Sequence, residues 1–541
     1  MAVASLRTPA PSAPPPEAQA ATGLSRWHRL REWRPSRAAI VVGLILLTLI
    51  SLALRTGRLH LYYWIDEGIS VGIASHPLSQ LPTLLRADGS PPLYYLLLHV
   101  WMQIFGSHEV ATHALSLVFS LIAVPTAYWG GASLFGRRTG AYCAVLAAGL
   151  PYLTSYAQET RMYSLLVVLS LVVATSFVHV FVRGDRRYLP VFVVSLVAAL
   201  YTHNWALFLG LMTFVTWLVC VRLAEDRRPL WRDGAIAFGA TAILFLPWLP
   251  TLLYQAQHTG APWALPPIVW SFSQGAYFIT GGRGAAVALL LGAGASVLVP
   301  RLTAKFDRQG QIAVIALALL GLGTLLIAWL YAKSTPAWAF RYLAVIIGPL
   351  LLMVGLGLSR ASRLGLAALV LVCCFWVLDP VRSQLNAKSN VASAARLVSA
   401  PESSNAVVLS TQPEQVPVLA FYLPKVTHFV TPLGPVPDPR VVDWRNALSR
   451  LSRSSIRSVL IPTLNSLVPG ERVVLVVPLH LPGAPKWMHL IRHDSISWAS
   501  YLNHDRNLRL LRSDSPHQSD SGTSVRISVY AQAGGVLRSH G

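Results

Sequence analysis

The sequence predicts an α-helical polytopic membrane protein with about eleven transmembrane helices and a small C-terminal α/β domain. Of its 541 residues, 54% are hydrophobic and 12% are charged, whereas a globular domain carries about 25% charged residues. Its mean hydropathy is +0.51. Eleven apolar segments approach the length of about 20 helical residues that a bilayer core requires. Most of the chain must therefore face lipid or other helices.

The apolar segments alternate with short connections that are rich in arginine. The predicted spans are 38–55, 110–135, 139–157, 162–182, 188–203, 205–222, 234–254, 284–300, 311–331, 341–358 and 363–379. Arginine-rich connections are typical of loops on the cytoplasmic side, and the arginines between Arg26 and Arg37 place the N-terminus there. The formal charge of +22 thus reflects membrane orientation and does not indicate a nucleic-acid partner.

Residues 92–105 are apolar but fall short of the ~17 residues that the shortest spans need. If they crossed the bilayer, the basic connections that follow would all move to the other side of the membrane. With residues 69–105 on the outer surface, these connections all lie in the cytoplasm. The sequence therefore predicts juxtamembrane helices over 69–105.

The two ends of the chain differ in composition from the membrane part, residues 26–380. Residues 1–25 are rich in Pro and Ala and predict a disordered cytoplasmic tail. In residues 381–541, short β-type runs (AVVLST, RVVLVVP and SVRISVYA) alternate with helical stretches such as WRNALSRLSR and WMHLIRHDSISWASYL. This alternation predicts a small α/β domain, which the topology places outside the cytoplasm.

Polar side chains that can carry chemistry gather on the predicted outer face. They are Asp66, Glu67, Asp88, Gln158, Glu159, Arg161, Tyr163, His203, Asn204, Lys333 and Arg341. For each residue alone, an ordinary hydrated loop position is the better explanation, so it is their convergence on one face that predicts a site. No Asp, Glu, Lys or Arg lies near the midpoint of a predicted span. Intramembrane charges mark transport pathways, so this pattern disfavours a transporter.

This set of groups fits the transfer of a sugar from a lipid-linked phosphate. A carboxylate would deprotonate the acceptor hydroxyl, and cations would neutralise the phosphate that leaves. Arginine binds phosphate bidentately, which makes Arg161 and Arg341 the first candidates for that role. Lys333 and His203 are further candidates.

Four segments carry a family resemblance, namely YYWIDEGISVGIASHPL, DGSPPLYYLLLHVWMQIFG, SLFGRRTG and YAQETRMYSLLVVLSL. They resemble the polyprenyl-phosphate-dependent glycosyltransferases of the GT-C superfamily. Within it, the most similar groups are the protein O-mannosyltransferases, the lipid A aminoarabinose transferases and their actinobacterial relatives. The resemblance covers roughly residues 38–380. It implies a GT-C fold, a dolichyl- or decaprenyl-phosphate donor, and catalytic acids after the first span and in the next outer loop. These acids correspond to Asp66, with Glu67 beside it, and Glu159.

The chain departs from the family pattern at two positions. Ser90 stands before Pro91-Pro92 where many relatives have His, and Glu159 stands where the second acid is often Asp. The predicted fold and reaction type are unaffected by these two differences. The sugar and the acceptor cannot be deduced from them.

These observations predict an inverting glycosyltransferase of the plasma membrane, with Asp66 as general base. It would move mannose, or another hexose or pentose, from a polyprenyl-phosphate donor to a glycan, lipid or protein acceptor, surrounded by membrane lipids. The outer loops between the predicted spans show no H-x-x-x-H or C-x-x-C spacing of metal ligands, but Asp66, Glu67 and Glu159 would jointly hold a divalent cation if one is used. A lipid-linked sugar flippase or exporter and a non-catalytic cell-wall scaffold remain the alternatives.

Overall fold

The computed structural model describes residues 36–298, 307–378, 388–398, 406–481, 483, 485–515 and 523–532. The predicted tail, residues 1–25, lies outside these ranges. The chain divides into two compact units. Residues 36–43, at the start of the first helix, belong to the first unit, and the chain from Leu44 onward forms the second. The site described below lies within the second unit.

The membrane part is built from helices, several of them interrupted. They are α1 (Arg37–Arg55), α2 (Ile65–Ala74), α3 (Leu81–Asp88), α4 (Leu93–Phe105), α5 (Glu109–Phe135), α6 (Arg137–Gly149), α7 (Pro151–Tyr156), α8 (Tyr163–Phe181), α9 (Leu189–Thr202), α10 (Ala206–Leu223), α11 (Arg228–Phe245), α12 (Leu249–His258), α13 (Ser271–Thr280), α14 (Arg283–Leu298), α15 (Arg308–Ala318), α16 (Thr324–Ser334), α17 (Ala344–Arg360) and α18 (Ser362–Leu378).

Seven helical segments of the described chain are long and apolar enough to cross a bilayer, or eight if the bent pair α13–α14 counts as one span. They are Arg37–Arg55, Glu109–Phe135, Tyr163–Phe181, Ala206–Leu223, Arg228–His258, Arg308–Ser334 and Phe340–Arg360. The predicted class of multi-pass membrane protein is therefore confirmed, although this criterion gives fewer crossings than the predicted eleven.

The difference in number arises because four predicted spans are short or broken helices. The span predicted over 139–157 divides at Leu150, since the residue before a proline is disfavoured in the α conformation. The other three became α9, α14 and α18, with 14, 16 and 17 residues. All three fall below the 18 residues that a span needs by the length criterion.

Residues 65–105 contain three short helices, in the region where the sequence predicts juxtamembrane helices over 69–105. Gly89 ends α3 and Gly106 follows α4, with φ angles of 97° and 86° that glycine adopts without strain. The helix α4 has 13 residues, too few to cross a bilayer. That these helices lie along the outer membrane surface stays a prediction.

The C-terminal part contains a six-stranded mixed sheet in the order β3-β2-β1-β4-β6-β5. Its strands are β1 (Ala406–Ser410), β2 (His428–Thr431), β3 (Gly434–Pro435), β4 (Arg472–Pro478), β5 (Leu508–Asp514) and β6 (Val525–Gln532). Its helices are α19 (Val391–Arg396), α20 (Val416–Tyr422), α21 (Ala447–Arg453), α22 (Ile461–Asn465) and α23 (Lys486–His504). The predicted α/β domain is therefore confirmed.

The parallel strands β2, β1 and β4 form the centre of the sheet, and β1 is buried along its whole length. Val408 belongs to the core shared with the membrane helices, whereas its neighbour Val407 belongs to a second core that includes Trp498 of α23. Because successive strand residues point to opposite faces, the sheet separates these two cores.

The C-terminal domain packs closely on α2, the helix that carries Asp66. A Cβ atom on Gly68 would lie 2.7 Å from the Val418 side chain, and one on Gly72 would collide with the Arg440 carbonyl oxygen. Only glycine allows the two backbones to approach this closely. Helix α20, which carries Val418, therefore packs directly against α2.

Candidate active site

Asp66 lies in the first turn of α2, where carboxylates are favoured by the helix dipole. Its Oδ2 atom lies 3.4 Å from Nε of Arg341 and 3.9 Å from Nη2 of Arg161. The side chain retains 16% exposure. Asp66 is therefore a carboxylate between two guanidinium groups, with part of its surface still accessible.

The two arginines are held by different surroundings. Arg161 is buried and donates through Nη1 to Ser70 Oγ at 3.0 Å and to the Asp66 carbonyl oxygen at 3.3 Å. The guanidinium carbon of Arg341 lies over three aromatic rings, 4.6 Å from the ring centre of Trp263, 5.4 Å from Tyr342 and 5.8 Å from Trp64. Stacking on rings orients this cation without consuming its N–H donors.

Glu67 differs from Asp66, its neighbour in the sequence, because it is fully buried and hydrogen-bonded. Its Oε1 accepts from the Thr160 backbone at 2.9 Å and from Lys388 Nζ at 2.8 Å, and it lies 2.7 Å from Nε2 of His113. Burial raises the pKa of Glu67, but the Lys388 charge and the hydrogen bonds from His113 and Lys388 outweigh burial and lower it to about 2. Glu67 is therefore an ionised anchor that joins four segments of the chain.

Glu159 is half-buried in the loop between α7 and α8, and its Oε2 atom is buried without a hydrogen-bond partner in the described structure. Burial raises the pKa of Glu159 to about 7, Lys388 opposes the shift, and the charges of Glu67 and Asp66 add to it. Near neutral pH this carboxyl group is thus divided between its two protonation states, as suits a proton acceptor.

Asp88 ends α3 and joins the same electrostatic environment. Burial raises the pKa of Asp88 to about 6, Ser90 and the Arg161 charge oppose the shift, and the Asp66 charge increases it. Asp88 and Glu159 are therefore each within electrostatic reach of Asp66.

Gln158 and Asn204 bind backbone groups. Gln158 donates to the Thr154 carbonyl oxygen and accepts from the Arg58 backbone, while Asn204 donates to the Gly89 carbonyl oxygen at 2.9 Å. These contacts hold the loops that carry Asp88 and Glu159. A direct contact with substrate stays a prediction for both residues.

Tyr163 and His203 line the same region from α8 and the end of α9. The Tyr163 ring lies 6.0 Å from the His203 ring and 5.7 Å from the Arg161 guanidinium carbon. Burial and the charges of Arg161 and Arg341 lower the pKa of His203 to about 3. At neutral pH its imidazole is uncharged, so His203 would meet a phosphate as a hydrogen-bonding group and not as a cation.

Lys333 is the predicted site residue that the structure leaves outside this group. It is exposed near the end of α16, where its Nζ lies over the Trp329 ring at 5.0 Å from the centre. The sequence places Lys333 only eight positions before Arg341, but the intervening loop directs the two cations to different surroundings.

Two residues of the site had not been predicted from the sequence. His113 lies within the apolar span Glu109–Phe135, and Lys388 lies 321 positions after Glu67, beyond the last membrane helix. A histidine in an apolar helix is a weak signal, and nothing local indicates the partner of Lys388. Their contact with Glu67 appears only in the folded chain.

Unpartnered polar atoms concentrate around Asp66 and its neighbours. Seventeen buried side-chain N and O atoms of the described residues lack a hydrogen-bond partner, and seven of them belong to this region. They are Trp64 Nε1, Asp66 Oδ2, Tyr95 OH, Glu159 Oε2, Arg161 Nε, Tyr163 OH and Arg341 Nε. Asp66 Oδ2 and Arg341 Nε face each other as an ion pair at 3.4 Å, without the geometry of a hydrogen bond. Buried polar groups are normally satisfied, so such a concentration is typical of a site that receives a ligand.

The carboxylates do not form a metal-binding group as folded. The described residues contain no cluster of three or more His, Cys, Asp or Glu side chains with metal-binding geometry. Of the three predicted ligands, Glu67 already accepts from Lys388 and Thr160 through the same oxygen. A divalent cation held by Asp66, Glu67 and Glu159 would lie beside the Lys388 ammonium group, which already supplies a counter-charge to Glu67.

Comparison with family models and with curated proteins finds no match. Among solved structures, apo ArnT from Cupriavidus metallidurans matches 92% of this chain and 98% of its own, with a TM-score of 0.59 and 12% identity. The same protein bound to undecaprenyl phosphate matches 94% and 100%, with a TM-score of 0.54 and 11% identity. The oligosaccharyltransferase AglB from Archaeoglobus fulgidus, with an inhibitory peptide and dolichol-phosphate, matches 80% and 69%, with a TM-score of 0.53 and 10% identity.

These matches confirm the class of fold that the sequence predicts. The chain is a multi-pass membrane protein with the GT-C fold, and the match to ArnT extends over nearly the full length of both chains. The mycobacterial arabinofuranosyltransferase AftD also matches 92% of this chain and 40% of its own, with a TM-score of 0.50 and 13% identity. At identities of 10–13%, the similarity concerns the fold.

Proposed function

We propose that this chain is a membrane glycosyltransferase that moves a sugar from a polyprenyl-phosphate donor to an acceptor outside the cytoplasm, with inversion. Three structures of similar fold support this reaction class. ArnT is bound to undecaprenyl phosphate in one, AglB to dolichol-phosphate in another, and AftD is an arabinofuranosyltransferase. The sugar would be mannose or another hexose or pentose.

The position of Asp66 between two guanidinium groups is the observation that carries the proposal. The donor phosphate is a phosphodiester with one negative charge and the polyprenyl phosphate that leaves carries two, so its contacts with arginine strengthen as the bond to the sugar breaks. Arg161 and Arg341 would turn toward the donor phosphate when it enters. Asp66 would then be released from its ion pairs and become available as a base.

In the reaction, the acceptor oxygen bonds to the anomeric carbon while the bond from that carbon to the phosphate oxygen breaks. Asp66 takes the proton of the acceptor hydroxyl, and the bonding electrons leave with the polyprenyl phosphate. Arg161 and Arg341 stabilise the negative charge that develops on that phosphate. Attack from the face opposite the leaving group inverts the configuration.

The remaining acids have supporting roles in this proposal. Glu159 has an unpartnered Oε2 atom and titrates near neutral pH, so it would orient the acceptor and share its proton. Glu67 is inaccessible, so it would act by holding Asp66 and Glu159 in place. The basic connections further support a cytoplasmic N-terminus, with Asp66 and the C-terminal domain on the outer side of the plasma membrane.

The experiment compares the cell-envelope glycans and glycoproteins of a strain that lacks this protein with those of a strain that carries Asp66→Asn. The proposal expects both strains to lose the same glycan. Glu225→Gln is the matched control, because Glu225 is 84% exposed and pairs with Arg308 on the surface. Loss of the glycan in the deletion strain alone would remove Asp66 from the mechanism and favour the flippase or scaffold alternatives.

A further inference from the structure

A groove of about 820 Å³ lies between the membrane part of the chain and the C-terminal domain. One wall is formed by residues of the loop 258–265, which follows α12, and by Pro336. The other wall belongs to the C-terminal domain and is formed by residues within 444–453 and by Pro485 and Lys486. Ligand sites typically have volumes of about 300–1,000 Å³, so the groove is large enough to hold a ligand.

Backbone hydrogen bonds hold the C-terminal wall of the groove against the membrane part. The Asn446 amide donates to the His258 carbonyl oxygen at 2.7 Å, and the Trp444 amide donates to the Ala87 carbonyl oxygen at 3.1 Å. Asn446 adopts a left-handed backbone with a φ angle of 49°, which asparagine tolerates better than most residues do. The groove is therefore formed before a ligand arrives, which lowers the entropy cost of binding.

The groove borders the candidate active site at two points, although the site residues themselves do not line it. Pro262 lines the groove, and Trp263, the next residue, stacks on Arg341. Trp444 also lines the groove, and its amide binds the carbonyl oxygen of the residue before Asp88. This position suits a substrate that extends from the active site towards the C-terminal domain, as an acceptor glycan would.

The groove carries positive charge that the protein does not neutralise. The described residues that line it include two permanent cations, Arg453 and Lys486, and no Asp or Glu. Both side chains are exposed, and neither has an ion-pair partner in the part of the chain that the structure describes. Arg445 and Arg450 lie outside the groove and instead pair with Asp443, at 2.8 and 3.0 Å. The two cations of the groove are thus free to bind an anionic ligand.

The uncharged groups of the groove suit a sugar chain. Asn446 and Ser449 are exposed, and their side chains have no hydrogen-bond partner within the described residues. They can therefore bind the hydroxyl groups of a sugar ring. Trp444, Pro262 and Pro336 add rigid apolar surface, against which the C–H groups of a sugar ring can pack.

We propose that this groove binds the acceptor, and that the acceptor is a glycan that carries carboxylate groups. The inference rests on the proposed function for the role of acceptor, whereas the negative charge of the ligand is inferred from Arg453 and Lys486. Single carboxylates fit the groove better than phosphate groups do. Its described lining contains one guanidinium group, whereas two of them converge on Asp66, where the donor phosphate would bind.

The test measures the binding of tetragalacturonate to the purified full chain by isothermal titration calorimetry. This probe carries a carboxylate on every ring, and its full methyl ester has the same rings without the charge. We expect saturable binding of tetragalacturonate that weakens with added salt, and binding of the ester that is weaker by about tenfold or more. Absence of tetragalacturonate binding, or equal binding of the two probes, would overturn the proposal. Binding of phosphorylated mannan but not of tetragalacturonate would refute the carboxylate assignment.

Two double variants locate the binding. Arg453→Gln/Lys486→Gln removes both cations of the groove and should weaken tetragalacturonate binding by about tenfold or more. Arg457→Gln/Lys425→Gln is the matched control, because it removes the same charge from two exposed residues outside the groove, and it should bind as wild type. Equal losses in the two variants would mean that the basic surface attracts the probe without a site, and would refute the groove. If the groove variant does not fold, the comparison of tetragalacturonate with its ester still decides.

Failure of this inference can be distinguished from failure of the proposed function, because binding requires no transfer. Asp66 does not line the groove, so Asp66→Asn should bind tetragalacturonate as wild type does. Binding of the probe combined with normal glycans in the Asp66→Asn strain would refute the proposed role of Asp66 in transfer and leave the groove standing. Loss of a glycan in that strain without any binding of the probe would refute the groove alone.

Discussion

Lys388 Nζ lies 2.8 Å from Glu67 Oε1, and both side chains are buried. The two residues are 321 positions apart in the sequence, and helices α5 to α18 lie between them. The lysine also donates to the Gln158 carbonyl oxygen, next to Glu159. A cation from the C-terminal part of the chain is thus the counter-charge for the helix that carries Asp66 and for the loop that carries Glu159.

Removal of one partner of this pair should destabilise the protein more than removal of both. Lys388→Met leaves Glu67 buried with less compensation, and breaking a buried ion pair costs about 3–5 kcal/mol. Replacement of both charges by well-packed apolar residues is often close to neutral. We therefore expect Glu67→Met/Lys388→Met to unfold at a higher temperature than either single variant. An additive loss in thermal unfolding would show that the two side chains do not interact.

The same lysine should set the pH range of activity. Lys388 lowers the pKa of Glu159, so Lys388→Met should raise that pKa above about 7. If ionised Glu159 is needed, the acidic limb of the pH–rate profile moves to higher pH. Lys388→Arg keeps the cation and should restore the wild-type profile. A lower rate with an unchanged profile in Lys388→Met would indicate a purely structural role.

Glu159 should also make the folded protein less stable as the pH rises. Its pKa of about 7 in the folded chain lies above its ordinary value of 4.5, so the folded state binds more protons between these limits. Stability therefore falls as pH increases from about 4.5 to about 7, by at most about 3.4 kcal/mol. Glu159→Gln lacks this loss, so its Tm relative to wild type should be higher at pH 8 than at pH 5. Equal differences at both pH values would contradict the shift.

Arg341 should contribute more to phosphate binding than Lys333 does. A charge-assisted hydrogen bond is worth about 1.5–3 kcal/mol, which corresponds to roughly a ten- to 150-fold change in Kd. Native mass spectrometry of the purified chain with undecaprenyl phosphate should show that loss in Arg341→Gln. Lys333→Gln should bind nearly as wild type, because Lys333 stacks on Trp329 away from Asp66. Equal losses in both variants would restore Lys333 as a phosphate ligand.

The sequence predicts the membrane class and the convergence of Asp66, Glu159, Arg161 and Arg341 well, because both depend on strong signals. Long apolar segments force helices in a bilayer. Loops on the same predicted face can meet, as those of Asp66 and Arg341 do, although Lys333 from that face lies elsewhere. The division of labour between Asp66 and Glu67 could not be predicted. Adjacent residues of a helix point in different directions, and only the packed structure shows which one is buried.

The remaining differences have local physical causes. Leu150 leaves the α conformation before Pro151, so one apolar segment became two helices. The strand β5 is mostly exposed at the edge of the sheet, so its sequence LRLLRSD lacks the apolar run that marked β1 and β4. The contacts of His113 and Lys388 with Glu67 are long-range, and no local pattern encodes them.

The central claim is that the site around Asp66 transfers a sugar from a polyprenyl-phosphate donor. It is tested most directly in proteoliposomes that contain the purified chain, radiolabelled decaprenyl-phosphate mannose or arabinose, and a cell-envelope extract as the source of acceptor. The account predicts that wild type consumes one of these donors and labels the extract, and that Asp66→Asn folds normally but does neither. Label that crosses the bilayer while the donor stays intact, or full transfer by Asp66→Asn, would contradict it.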